Sequence, residues 1–252
     1  VKDVRKIVEP VIVNDPYTNI LYIDMSRDER KIGGSALAQV INRLGDSVPT
    51  VKDPEYFAEA FNTIQSLIMK NKILAGHDIS AGGMLTALLE MCFSNNSGGL
   101  TIDLSALNDK DTVKLLFNQN PGILIQVRDE EEVAEILLEN GISYLSIGHP
   151  VNDRTLFITN GIFKGKFDID DLRDKWFRTS YLLDRRQCGA ELAKERYDNY
   201  IKHDLNLNLN LTNFRGTFKS LGISPDRRKK SGIRAAIIRE KGVNGDREMA
   251  YA

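Results

Sequence analysis

The sequence has little cysteine, little histidine and no long apolar run. Two cysteines, Cys92 and Cys188, in 252 residues exclude a disulfide scaffold and favour a reducing compartment, so a cytoplasmic location is expected. Three histidines, without ligand spacing to either cysteine, argue against a zinc site. No stretch approaches the roughly 20 apolar residues of a membrane span, and none reads as a secretory leader. Charge of one sign is missing too: 34 Lys and Arg face 35 Asp and Glu, a formal net charge of −1. That balance leaves no electrostatic footprint for nucleic acid or an anionic membrane, and neither is expected as a partner. Hydrophobic residues are 42% and charged residues 27%, in a length that can bury a core, which excludes disordered and fibrous classes.

What is present reads as alternating strands and helices. Residues 19–25 alternate apolar and polar side chains and fit a strand. Residues 35–44 place Leu37, Val40, Ile41 and Leu44 at helical spacing, with Gly45 at the stop. Asp53 and Pro54 start a helix whose apolar stripe is Phe57, Phe61, Ile64, Leu67 and Ile68. Further strands are expected over 73–75, 100–104, 123–127, 144–147 and 155–158, and helices over 84–93 and from Asp129 to Asn140. The mixture predicts a layered α/β domain with a mixed sheet and packed helices. A charged helical stretch follows over 168–203. The Leu-Asn alternation of 205–211 reads equally as linker or edge strand. Residues 224–231, basic and without aromatics, read as a solvated linker.

Two glycine clusters carry the possible chemistry. Ile32-Gly33-Gly34-Ser35 opens a helix, and His77-Asp78-Ile79-Ser80-Ala81-Gly82-Gly83 lies between a strand and a helix. Paired glycines let backbone amides approach a ligand, and a helix N-terminus favours phosphate. Asp78 offers a hard oxygen ligand suited to Mg²⁺, and Ser80 a hydroxyl for a phosphate oxygen. Glycine pairs also simply turn chains, so spacing alone leaves both readings open. His77 reads as hydrogen-bonded scaffold before general base. Glu90 reads as an internal ion-pair partner before a metal ligand. Cys92 reads as a small core residue.

These clusters, with 74–83 running on to Glu90-Met91, resemble the large single-chain phosphoribosylformylglycinamidine synthases of purine biosynthesis. Trp176, Thr179-Ser180-Tyr181, Gln187-Cys188 and Glu191 resemble the family's helical segment joining synthase and glutaminase. Residues 236–240 and 242–250 resemble the first strand and turn of its glutaminase. The resemblance implies an ATP-dependent carbon–nitrogen ligase that converts formylglycinamide ribonucleotide to its amidine with ammonia from glutamine. It implies a fold like the C-terminal domain of aminoimidazole ribonucleotide synthetase. Carried over residue by residue, Asp78 would ligate Mg²⁺ and Ser80 would contact a nucleotide, ATP or ADP, shared with an N-type domain of the same enzyme. Asn118-Gln119-Asn120 departs from the more acidic residues common at that place in the family, so no role is carried over to them.

The expected division is a C-type synthase domain over 1–167, a helical connector and linker over 168–231, and the truncated start of a class I glutamine amidotransferase domain over 232–252. A buried strand over 233–238, a turn over 241–246 and a first helical turn from Arg247 cannot make a core of their own. The chain therefore reads as a piece of a longer synthase, inactive alone, whose partners are the remaining domains. One rival reading is a selenophosphate-synthetase-like or thiamine-phosphate-kinase-like ATP enzyme, against which the glutaminase-like tail argues; the other is a non-enzymatic C-type fold serving as an assembly module.

Overall fold

The computed structural model describes residues 6–201 together with 217, 220, 222–224, 226, 229, 232, 235–239, 242 and 244–251. The expectations for 205–211, and for Arg227, Arg228 and Lys230, lie outside the described residues. The chain forms two compact units, Val1–His203 and Asp204–Ala252.

The first unit is built on a seven-stranded mixed sheet. Its strands are β1 (Asn19–Asp24), β2 (Ala75–Ile79), β3 (Gly99–Asp103), β4 (Gly122–Val127), β5 (Leu145–Val151), β6 (Thr155–Asn160) and β7 (Phe163–Asp168), in the order β2-β4-β1-β5-β3-β6-β7. All neighbours are antiparallel except β3 and β6, which run parallel. Its helices are α1 (Ala36–Val40), α2 (Pro54–Met69), α3 (Gly83–Phe93), α4 (Thr112–Phe117), α5 (Glu130–Glu139), α6 (Ile169–Gln187) and α7 (Ala190–Asp198).

Helices cover both sheet faces. Ile20 and Tyr22 of β1 and Leu124 of β4 face α3 and α4, packing on Met84, Leu88, Met91 and Leu115. The alternate residues Leu21, Ile23, Ile125 and Val127 face α2 and α5, packing on Ala60, Ile64, Leu67, Val133 and Leu137. Side chains of a strand alternate faces, so a strand covered on both sides is apolar throughout. This corrects the alternating reading of residues 19–25: four consecutive residues, Ile20 to Ile23, are buried. Asp53, Asp129 and Asp111 each accept a backbone N–H in the first turn of α2, α5 and α4, so the caps do what the sequence predicts at the first two and start an unforeseen helix at the third.

Other elements depart from expectation for identifiable reasons. The helix expected over 35–44 ends at Val40, because Asn42 takes a left-handed conformation (φ 54°). Val40, Ile41 and Leu44 are exposed, so no core face holds that helix together. In α2 the stripe is Tyr56, Ala60, Thr63, Ile64 and Leu67, while Phe61 faces solvent. The strand expected over 73–75 instead runs Ala75–Ile79, because pairing with β4 extends through Ile79↔Gly122. Strand β7 was not foreseen. It buries only Phe163 and Phe167 partway, and Gly165 between them reads as a breaker. A Cβ at Gly165 would lie 2.9 Å from both Phe rings, so the glycine makes room for them.

Helix α6 begins on the buried Ile169 and packs against α3 through Trp176 and Phe93, whose rings are 5.7 Å apart. Arg154, just before β6, pairs with Asp170 of α6 at 2.9 Å. Tyr197 of α7 donates its hydroxyl to the Asp174 carbonyl at 2.7 Å and stacks on Tyr181, so α7 folds back along α6.

In the second unit a helix α8 (Asp246–Tyr251) forms as expected. Arg239 reaches Asp246 at 2.7 Å. Residues 235–239 form no strand and Ile238 is exposed, contrary to the buried strand read from the sequence. The described residues of that unit supply no neighbouring strand to pair with it.

Candidate functional site

Strand β2 is a sheet edge, and it rather than a loop carries His77 and Asp78. Successive side chains on a strand point to opposite faces. His77 shares the face of Ala75 and Ile79, toward α3, while Asp78 lies on the other and has its side chain 76% exposed. His77 Nδ1 donates to the Asp78 carbonyl oxygen at 2.7 Å, and Nε2 lies 3.1 Å from Glu90 Oε2 on α3. Both ring nitrogens thus face oxygen acceptors, and the pair ties the edge strand to the helix. Glu90 is thus held inside the domain by its contact with His77, the alternative to a metal ligand that the sequence favoured.

After β2 the chain makes a tight turn, with Gly83 N donating to the Ser80 carbonyl at 3.0 Å. Gly82 and Gly83 have φ of 90° and 73°, which L side chains adopt at a cost. A Cβ at Gly83 would lie 2.5 Å from the Leu116 carbonyl oxygen and 2.7 Å from Phe117 Cα. The second glycine cluster is therefore pressed against the C-terminal end of α4. Ser80 stands exposed at the turn.

The first cluster is held from the other side. Gly33 N donates to the Ser47 carbonyl at 2.9 Å and Gly34 N to the Leu44 carbonyl at 2.8 Å. The hydroxyl of Ser35 caps α1 by accepting from Ala38 N at 3.2 Å. The segment is pinned by Asp28, whose carboxylate accepts from Lys31 Nζ and Thr50 Oγ1, each at 2.5 Å. Those two bonds, Lys31 first, pull the Asp28 carboxyl down to about 2.

The two clusters meet at Gln119. With its carboxamide oriented to satisfy both donors, its oxygen accepts from Gly82 N at 3.0 Å and Ala36 N at 2.8 Å. Its neighbours are structural as well. Asn118, buried, donates to the Lys114 and Leu115 carbonyls at 2.8 and 3.0 Å and closes α4. Asn120, also buried, accepts from Lys31 N at 3.2 Å and donates to Ser26 Oγ at 3.2 Å and the Glu29 carbonyl at 3.0 Å. Sequence reasoning assigned nothing to this loop. Its signal was three consecutive amides between an apolar helix and an apolar strand, a place where polar side chains are buried only when bonded.

The cysteines take no part. Burial pushes the Cys92 thiol up to about 12, and its helix face is core. The Cys188 thiol is raised by its hydrogen bond to Asp184. The fit to Mg²⁺ is partial. Among the described residues no three His, Cys, Asp or Glu side chains gather to hold a metal. Asp78 supplies one exposed carboxylate with only His77, at 3.7 Å, beside it. That suits one ligand position of a shared site and cannot complete an octahedron alone.

Among the described residues, no helix is long and apolar enough to cross a membrane. Comparison with known proteins gives the lineage. The chain is 32% identical, over 99% of its length, to a probable phosphoribosylformylglycinamidine synthase of Caenorhabditis elegans, and spans 20% of that protein. It is 31% identical, over 92% of its length, to a probable chloroplastic/mitochondrial phosphoribosylformylglycinamidine synthase of Arabidopsis thaliana, and spans 16% of it. The chain thus covers a fifth or less of these relatives. Among solved structures, Thermotoga maritima PurL complexed with ATP superposes with a TM-score of 0.52 at 12% identity, over 68% of this chain and 28% of that one. The same protein complexed with FGAR gives 0.52 at 14% identity, over 68% and 30%. At such identities the likeness is one of fold. The family model for the AIR synthase related protein, C-terminal domain, matches residues 23–159, more than half the chain. The chain belongs to that family, as a relative of the phosphoribosylformylglycinamidine synthases.

Proposed function

We propose that this chain serves as the second C-type synthase domain of an ATP- and glutamine-dependent phosphoribosylformylglycinamidine synthase. In this reading residues 1–167 are the synthase domain, 168–231 the connector, and 232–252 the start of the glutaminase. The whole enzyme forms formylglycinamidine ribonucleotide in the cytoplasm. Identity of about a third to two such synthases, over nearly the whole chain, is the observation that carries the proposal. The exposure of Asp78 on the edge strand and of Ser80 at the turn after it supports the proposal.

The chain's own part is positioning. Asp78 holds one ligand position of Mg²⁺ and Ser80 donates to a phosphate oxygen of ADP or ATP, with the other ligands supplied by an N-type domain. Mg²⁺ neutralises phosphate charge when bound. Gly82 and Gly83 let the turn pack closely on Thr86 and on the end of α4, where a Cβ would collide. None of the residues here is assigned to the chemical step, and the chain alone is inactive. Assays of the 252-residue chain should detect neither glutamine hydrolysis nor amidine formation, while the synthase polypeptide that contains it should form amidine only with ATP and glutamine. Turnover by the chain alone above a buffer control would overturn the reading.

A further inference from the structure

A cavity of about 470 Å³ opens between α3, α6 and the turn at 199–201, with His77 of β2 in its lining. One wall carries Arg173, whose residue surface is only 7% exposed. Its guanidinium lies 3.0 Å from the ring centroid of Tyr200. Its Nε and Nη1 are buried and have no hydrogen-bond partner among the described residues. The nearest carboxylate, Asp174, stops 3.7 Å from Nη1, and its buried Oδ1 is also unbonded. A guanidinium kept out of water without hydrogen-bond acceptors is destabilising unless an anion arrives to match it. Glu90 of α3, already joined to His77, and Trp176 of α6 line the same cavity.

We propose that this cavity binds a small organic monocarboxylate with a flat or apolar body and a hydrogen-bond donor at its far end. Its carboxylate accepts from the Arg173 guanidinium, turned slightly from its present packing into the cavity. Its body lies on Trp176, and its donor meets Glu90. The Glu90 charge selects against a multiply charged anion such as phosphate, which would face a carboxylate across an apolar space. Charge-assisted bonds to a buried guanidinium are about twice as strong as neutral ones, so Arg173 dominates the affinity.

Trp176 is the single tryptophan of the chain, so its fluorescence reports occupancy directly. The 252-residue chain is titrated with 4-(aminomethyl)benzoate, benzoate and inorganic phosphate. The proposal expects a saturable change with 4-(aminomethyl)benzoate, weaker binding of benzoate and none of phosphate. Arg173→Met should weaken the first by about tenfold or more, and Glu90→Gln should weaken it while leaving benzoate unchanged. Should Arg173→Met not fold, Glu90→Gln and the phosphate arm still decide. No saturable change, equal binding of phosphate, or unaltered affinity in either folded variant would overturn the proposal and leave Arg173 a packing cation. None of these outcomes depends on whether the chain belongs to an active synthase.

Discussion

Gln119 accepts from the backbone N–H of Gly82 at 3.0 Å, and the same oxygen accepts from Ala36, so one side chain joins the two glycine clusters. Removing that acceptor leaves two N–H groups to find others. Gln119→Leu should cost about 1–3 kcal/mol, whereas Gln119→Glu keeps an acceptor in place and should cost less. Urea unfolding of the two variants checks this, together with amide exchange at Gly82 and Ala36. Equal stability of the two, with unchanged exchange, would show that the bridge carries no load.

Gly83 sits at φ 73°, and a Cβ there would lie 2.5 Å from the Leu116 carbonyl oxygen at the end of α4. Gly83→Ala should destabilise by about 2–3 kcal/mol, from left-handed strain and from displacing the Leu116 carbonyl. Gly141, at φ 69° but with open space around it, provides the control. Gly141→Ala should cost only the conformational part, about 1 kcal/mol. If both substitutions cost the same in urea, the close approach at Gly83 has no energetic weight.

Asp28 should make the segment around the first glycine cluster acid-sensitive. Its carboxyl lies at about 2 in the folded chain against an ordinary 3.8, through bonds from Lys31 and then Thr50. A depressed carboxyl contributes stability that is fully present above the unfolded value and is lost as pH falls from 3.8 toward 2. Asp28→Asn should therefore be less stable than the parent chain at pH 7, and the gap should narrow as pH falls through 3.8 and close only below about 2. A difference that stays constant over this range would show that the bonds to Lys31 and Thr50 do not depend on the charge.

The strand–helix alternation was legible because caps and apolar periods are local. Asp53 and Asp129 start their helices as read, and α3 begins at the glycine pair. Features that depend on distant partners were not legible. Strand β7 exists because β6 pairs with it, and β2 extends to Ile79 because β4 runs beside it. Helix α1 is short because no core lies beneath Val40 and Leu44, which a helical wheel cannot reveal. At the candidate site Asp78, Ser80, His77 and Glu90 could be named in advance, and the His77–Glu90 pair follows from spacing once the strand is placed. The role of Gln119 could not, since it rests on bringing together residues 36, 82 and 119.

The central claim is that Asp78 and Ser80 form one wall of a shared nucleotide–Mg²⁺ site. The chain alone then supplies too few ligands and should bind ADP–Mg²⁺ no better than roughly millimolar, about −4 kcal/mol. The most direct measurement is thermal melting of the synthase polypeptide and its Asp78→Ala variant, with and without ADP–Mg²⁺, with retained nucleotide quantified after purification. The account predicts a lower melting temperature and lost nucleotide in the variant. An unchanged melting temperature together with full nucleotide retention would contradict it and return Asp78 to the scaffold.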